Sequence, residues 1–345
     1  MTRVPNWDGP TEWAWSDAVE EADWIGEHLT AFDESVVTSV IPSGFEAYAR
    51  VLHPAEAPNG GFGRVVRWRE VADWSGRSLE RGSQFHSIAL PPERPGREAP
   101  WQGQGPALGR LLAADAKVLA ETLSDWTTTP ERCWFCLWDG YGWENARALT
   151  PIGQTSPHLP NPVPEDIWRG RRVQLPNRDY LLFTGPVEAV LASVSLSGQE
   201  QTPNLWWPAD RTWFVGTEID LAWTYIGGPA GMIERLLAED AIEALPADPS
   251  DSLTRVEDWL IRWVELAVSD LLGIGEATIT TSRGTVQARF ERPGRVRRGS
   301  LHTTSVGDNG VHGSGTNFVS GHDEAELRKT LVFYLTRQVV DLVGG

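Results

Sequence analysis

The chain is poor in sulfur and in lysine. Its 345 residues include two cysteines, two methionines, and only Lys117 and Lys329 as lysines. Two cysteines in a chain of this size exclude a disulfide framework. No run of apolar residues is long enough to span a bilayer. The start, MTRVPNWDGPTEWAW, lacks the basic flank and apolar run of a signal peptide. HExxH, GxSxG and P-loop patterns are also missing, which removes the reaction classes that they mark. These gaps lead to the expectation of a cytoplasmic protein with no metal, no cofactor and no membrane partner.

What is present is a globular composition, 41% apolar and 22% charged. The net charge is -17. Residues 1–250 carry 19 basic and 35 acidic side chains, and residues 251–345 carry 11 and 12. An acidic body repels nucleic acid and anionic membranes and attracts cationic partners, although acidity also serves solubility alone. All 18 tryptophans precede residue 264. Charge and tryptophan therefore divide the chain near ALPADPSDS (244–252), which reads as a linker. The expected domains are 1–250, acidic and Trp-rich, and 251–345, smaller.

Hydrophobic periodicity predicts an α+β fold, a mixed and mainly antiparallel sheet with flanking helices, plus a smaller helix–strands–helix C-terminal domain. Helices are expected over 16–30, with Ser16 as cap, and over 108–126, 186–194, 229–245 and 323–343. Strands are expected over 36–41, 47–53, 64–68, 85–90, 133–138, 171–175, 180–185, 212–220 and 221–227. Residues 91–106 and 149–166 read as long Pro-rich loops. In the tail, Thr254 and Glu257 form a capping box. EATITT and TVQARFE around Ser282-Arg283-Gly284 form a hairpin, 297–306 adds a strand, and 307–322 reads as a Gly/Ser loop.

The cysteines lie in RCWFCLWDGYGW as Cys133 and Cys136. A redox CxxC needs a helix start to lower a thiol pKa, and two glycines follow here instead. In a strand, positions three apart face opposite sides and lie roughly 10 Å apart, too far for a disulfide. Zinc would need two more ligands. A buried strand is the preferred reading.

Glu218 and Asp220 in GTEID, with Asp139 in LWDG, are weak candidates for catalytic carboxylates. If the strand continued, Glu218 and Asp220 would share a side about 6.7 Å apart. Such a pair suits glycoside hydrolysis or a metal, and equally suits capping of loop N–H groups. Trp206, Trp207 and Arg211, in NLWWPADRTW, are candidate binding residues beside them, with a Trp-rich core as the alternative. Arg289, Arg292, Arg295, Arg297 and Arg298 in RFERPGRVRR form a basic cluster that could contact phosphate or nucleic acid, the last four being the binding candidates. It lacks aromatic platforms, so a solvated hairpin is preferred and nucleic acid is not the expected partner. His302, His312 and His322 have no metal-ligand spacing.

FEAYARVLHPAE (45–56), CWFCLWDGYG (133–142) and LWWPADRTWFVGTEIDLAWTYIGG (205–228) resemble a family of soluble actinobacterial proteins without assigned function. That resemblance brings no catalytic residues. IPSGFEAYARVL and the late strand–strand–helix order are similar to SUKH-type immunity proteins, which implies an acidic α+β module that neutralises a toxin. The leading expectation is a non-catalytic binder or regulator recognising a protein or peptide of cationic character. A carboxylate hydrolase and a phosphate or nucleic-acid contact are the alternatives.

Overall fold

The computed structural model describes residues 13–57, 64–89, 103–141, 161, 163–176, 178–192, 194–196, 199–253, 258–281, 284–291, 298–307, 310–320 and 324–344. The chain forms two compact units, residues 1–53 with 107–253, and residues 54–106 with 254–345. The sequence reading kept 1–250 together. In the structure, 54–106 groups with the C-terminal segment. No described helix is long and apolar enough to cross a membrane.

Unit 1 is built on an antiparallel sheet. Its elements are β1 (Ala14–Trp15), α1 (Asp23–His28) and β2 (Ala47–Leu52). Unit 2 then contributes β3 (Ala55–Glu56), β4 (Val65–Val66), α2 (Trp68–Ser75) and α3 (Phe85–Ile88). Unit 1 resumes with α4 (Ala113–Ser124), β5 (Cys133–Trp138), α5 (Glu165–Trp168), β6 (Val173–Leu175), β7 (Arg178–Gly185), β8 (Val194–Leu196) and β9 (Gln199–Gln201). It ends with β10 (Leu205–Pro208), β11 (Phe214–Gly216), β12 (Trp223–Gly228), α6 (Ala230–Leu237) and β13 (Ala244–Ala247). The strand order is β1-β7-β5-β10-β11-β12-β2-β13, with β6 on β7.

Register sets Phe183, Phe135, Trp206, Val215, Ile226 and Ala49 abreast on one face. These six lie in one core. Trp206 stacks on Phe135 and meets Trp213 edge-on with centroids 5.1 Å apart. The Trp213 indole N–H donates to the Leu123 carbonyl, 3.0 Å, which fixes α4 to the sheet. On the opposite face Trp207 stacks on Phe214, and Trp24 meets both edge-on. The sheet is thus covered on both faces, which is why CWFCLW shows no polar alternation.

Unit 2 carries α7 (Asp258–Ile274), a meander of β14 (Glu276–Thr281), β15 (Gly284–Glu291), β16 (Arg298–Gly307) and β17 (Gly310–Ser320), and α8 (Glu324–Gly344). Val264, Val268 and Leu271 of α7 and Leu327, Leu331, Leu335 and Val339 of α8 pack on Ile279, Val286, Phe290 and Leu301. The α+β class is as expected, but several elements differ. Residues 37–39 form a buried 3-10 turn rather than a strand, because each N–H bonds locally or to the Pro249 and Asp251 carbonyls. Phe85–Ile88 is a helix. Residues 187–191 form a 3-10 helix, and the expected helix over 16–30 divides into a 3-10 turn at Val19–Ala22 and α1. Helix α4 starts at Ala113, since Gly109 adopts φ +65 and Leu112 is extended. The linker begins as edge strand β13, and the Gly/Ser loop is largely β17. The Thr254–Glu257 capping box and the Ser282-Arg283 turn lie outside the described residues.

Candidate functional site

Chain reversals at one end of the unit 1 sheet bring Asp139, Arg172, Arg178, Glu218 and Asp220 together. Strand β11 stops at Gly216, so Glu218 and Asp220 sit in the connection to β12 and not on a continued strand. A glycine is needed at 216 because a Cβ there would meet Ile41 Cγ2 at 2.4 Å. The connection is then held by Gly109, whose N–H donates to the Leu221 carbonyl at 2.9 Å.

Arg178 opens β7 and organises the cluster. It donates through Nη2 and Nε to Glu218, and through Nη2 to Asp220 Oδ2 at 3.3 Å. Its guanidinium lies 4.9 Å from the Trp138 ring centroid and 5.7 Å from that of Phe32. Glu218 is buried, whereas the Asp220 side chain is 77% exposed. Burial works to lower the Arg178 pKa. The Glu218 hydrogen bond and charge more than offset it, so the pKa is raised and the guanidinium stays charged.

A second arginine repeats the motif. Arg172 donates to Asp139 Oδ2 at 3.0 Å and to the Trp168 and Gly170 carbonyls, and it lies 5.2 Å from the Trp168 ring centroid. Because Asp139 follows Trp138 in the chain, the contacts run continuously from Trp168 through Arg172, Asp139, Trp138 and Arg178 to Glu218 and Asp220. Of the three candidate carboxylates, Asp139 is paired with Arg172, and Glu218 and Asp220 with Arg178.

Behind this rim runs a buried polar chain. Asn204 accepts from the Trp138 N–H at 2.9 Å, donates to the Tyr141 hydroxyl at 3.0 Å and donates to the Thr217 carbonyl at 3.3 Å. Thr217 and Thr224 share a hydroxyl contact of 2.7 Å, and Thr224 reaches His53 Nε2 at 2.9 Å. His53 Nδ1 faces the Ala107 carbonyl at 2.8 Å, which assigns its proton to Nδ1 and makes Nε2 an acceptor. Burial first, then the charges of Arg110 and Arg50, lower the His53 pKa to about 4 against the Ala107 bond. Thr224 and His53 have the separation of a nucleophile and base, yet both are completely buried. No substrate atom can reach them. Sequence reasoning missed Arg172, Arg178, Asn204 and His53, and their only signal was polarity beside apolar strand ends.

The other candidates separate. Trp206 and Trp207 are fully buried on opposite sheet faces, as the alternative reading of a Trp-rich core has them. Arg211, in a turn with φ +57, lies 5.4 Å from the Trp24 ring centroid and 3.8 Å from Glu21. It does not join the rim contacts. Arg292, Arg295 and Arg297 lie outside the described residues, and Arg298 opens β16. His302 is on β16, within the strand expected over 297–306, and bonds Thr316, 2.9 Å, whereas His312 is on β17, where a Gly/Ser loop was expected. His322 lies outside the described residues. Cys133 and Cys136 are free and buried. Burial first, then nearby carboxylates, push the Cys133 thiol up to about 12, and burial raises that of Cys136 further. No group of His, Cys, Asp and Glu among the described residues could hold a metal ion.

Compared with known protein families, curated proteins and solved structures, the chain matches none.

Proposed function

We propose that unit 1 is a non-catalytic recognition module, and that the rim from Trp168 to Asp220 is the surface that meets a protein or peptide partner of cationic character. One observation carries this reading: two arginines lie over two half-buried tryptophans, each held by a carboxylate. Tryptophan and arginine, locked before contact, are the side chains that dominate interface energetics, because little freedom remains to lose. Glu218 and Asp139 hold the two arginines in place. Asp220 turns an exposed carboxylate outward, and the acidic body around it attracts cations. The resemblance to immunity modules is in keeping with a partner of that charge.

Affinity capture from lysate of the source cells tests the proposal, with wild-type protein beside Trp168→Ala and Asp220→Asn variants of matched melting temperature. A partner retained by the wild type and lost by both variants is the expected result. Capture of the same set by all three, or turnover of a glycoside abolished by Asp220→Asn, would contradict it.

A further inference from the structure

Sheet edges expose unpaired N–H and C=O groups, and chains blunt them with shortness, charge or proline. In unit 1 the outer strands are β1, two residues long, β6, three residues, and β13, four residues with Pro246 inside it. Strands β3, β4, β8 and β9 have two or three residues each. In the unit 2 sheet, β14 forms one edge with six residues and opens on Glu276. The other edge is β17. It has eleven residues and contains no Lys, Arg, Asp, Glu or Pro. The register irregularity lies at Ser305/Val306, so Gly313–Ser320 pair regularly with β16. Over Gly313–Ser320, eight residues beyond the bulge at His312, this is the one long stretch of described sheet edge with no charge, proline or bulge.

We propose that two copies of this chain pair through β17, antiparallel across a two-fold axis. Antiparallel pairing makes any strand complementary to itself, because each residue and its mate exchange places under the two-fold. Charge decides the place. Two bodies of net charge -17 repel, and residues 251–345 hold 11 basic against 12 acidic side chains. Within that near-neutral segment, β17 has only His312 as an ionisable group. Gly313 and Gly315 lack side chains, which permits close approach of a second backbone. A main-chain ladder of this length would satisfy groups that water otherwise holds.

Sedimentation velocity on the full chain over a wide concentration range tests this. The expected result is a dimer that becomes a monomer, half the mass, in the Ser314→Lys/Thr316→Lys variant, while Thr278→Lys on β14 leaves the dimer intact. A wild-type monomer at every concentration overturns the proposal, as does a dimer that persists in the folded double variant. Hydrogen exchange on the wild type decides the matter should that variant fail to fold. Protection of 310–320 that rises with concentration, without a rise at 276–281, supports pairing at β17. Concentration-independent exchange at 310–320 overturns it.

Discussion

At the scale of single residues, burial decides what each titratable group can do. Glu218 and Asp220 share Arg178, but only Glu218 is buried with it. Removing one member of a buried pair costs about 3–5 kcal/mol, whereas an exposed pair is worth about 0–1 kcal/mol. Glu218→Gln is therefore expected to destabilise unit 1 by several kcal/mol in chemical denaturation, and Asp220→Asn by less than about 1 kcal/mol. Equal effects would show that Arg178 does not discriminate between them. His53 supplies a pH signature. Its folded pKa, about 4, lies below the ordinary 6.5. The unfolded chain thus takes up a proton that the folded chain refuses, and the stability from neutral His53 is complete above pH 6.5 and lost as pH falls toward 4. His86 in unit 2 is lowered to about 4 by burial as well. Urea midpoints are expected to hold steady above pH 6.5 and drop between 6.5 and 4, with a shallower drop in His53→Gln. A flat profile across that window would show that the imidazoles are not buried neutral.

At the scale of elements, what could be read in advance depended on where hydrogen bonds go. CWFCLW and LAWTYIG were legible as strands because both faces of the sheet are covered and aromatic residues crowd each run, joined in LAWTYIG by the β-branched Thr224 and Ile226. Residues 36–41 are as apolar as a strand, yet their N–H groups bond within a turn and to carbonyls more than 200 residues away, which no local pattern records. Strand β17 was hidden for the opposite reason, since its glycines and serines imitate a loop and only the β16 ladder makes it extended. Gly109 is the clearest dependence of the site on a distant element. A Cβ there would fall 2.6 Å from Ile219 Cα and from its carbonyl oxygen, backbone that cannot swing aside, at φ +65. Gly109→Ala is expected to cost at least about 2 kcal/mol and to pull the Glu218–Asp220 loop away from Arg178. Denaturation and the exchange rates of amides 217–221 would register both effects, and unchanged values would deny the coupling.

At the scale of the molecule, the two units differ in charge and in aromatic content. That contrast was visible in composition, while the grouping of 54–106 with the C-terminal segment was not. The rim was half legible. Asp139, Glu218 and Asp220 stood out as acids at strand ends, but the arginines that hold them sit at 172 and 178, and sequence distance concealed the pairing. The tryptophans drew attention to 206 and 207, which fill the core, while Trp138 and Trp168 carry the stacked guanidiniums. The most direct test is a titration of the captured partner against wild type, Trp168→Ala and Asp220→Asn at equal folded fraction. A recognition rim predicts that Trp168→Ala weakens binding by at least about 2 kcal/mol, roughly 30-fold, with a smaller loss in Asp220→Asn that shrinks at high salt. Unchanged affinity in both variants would contradict it.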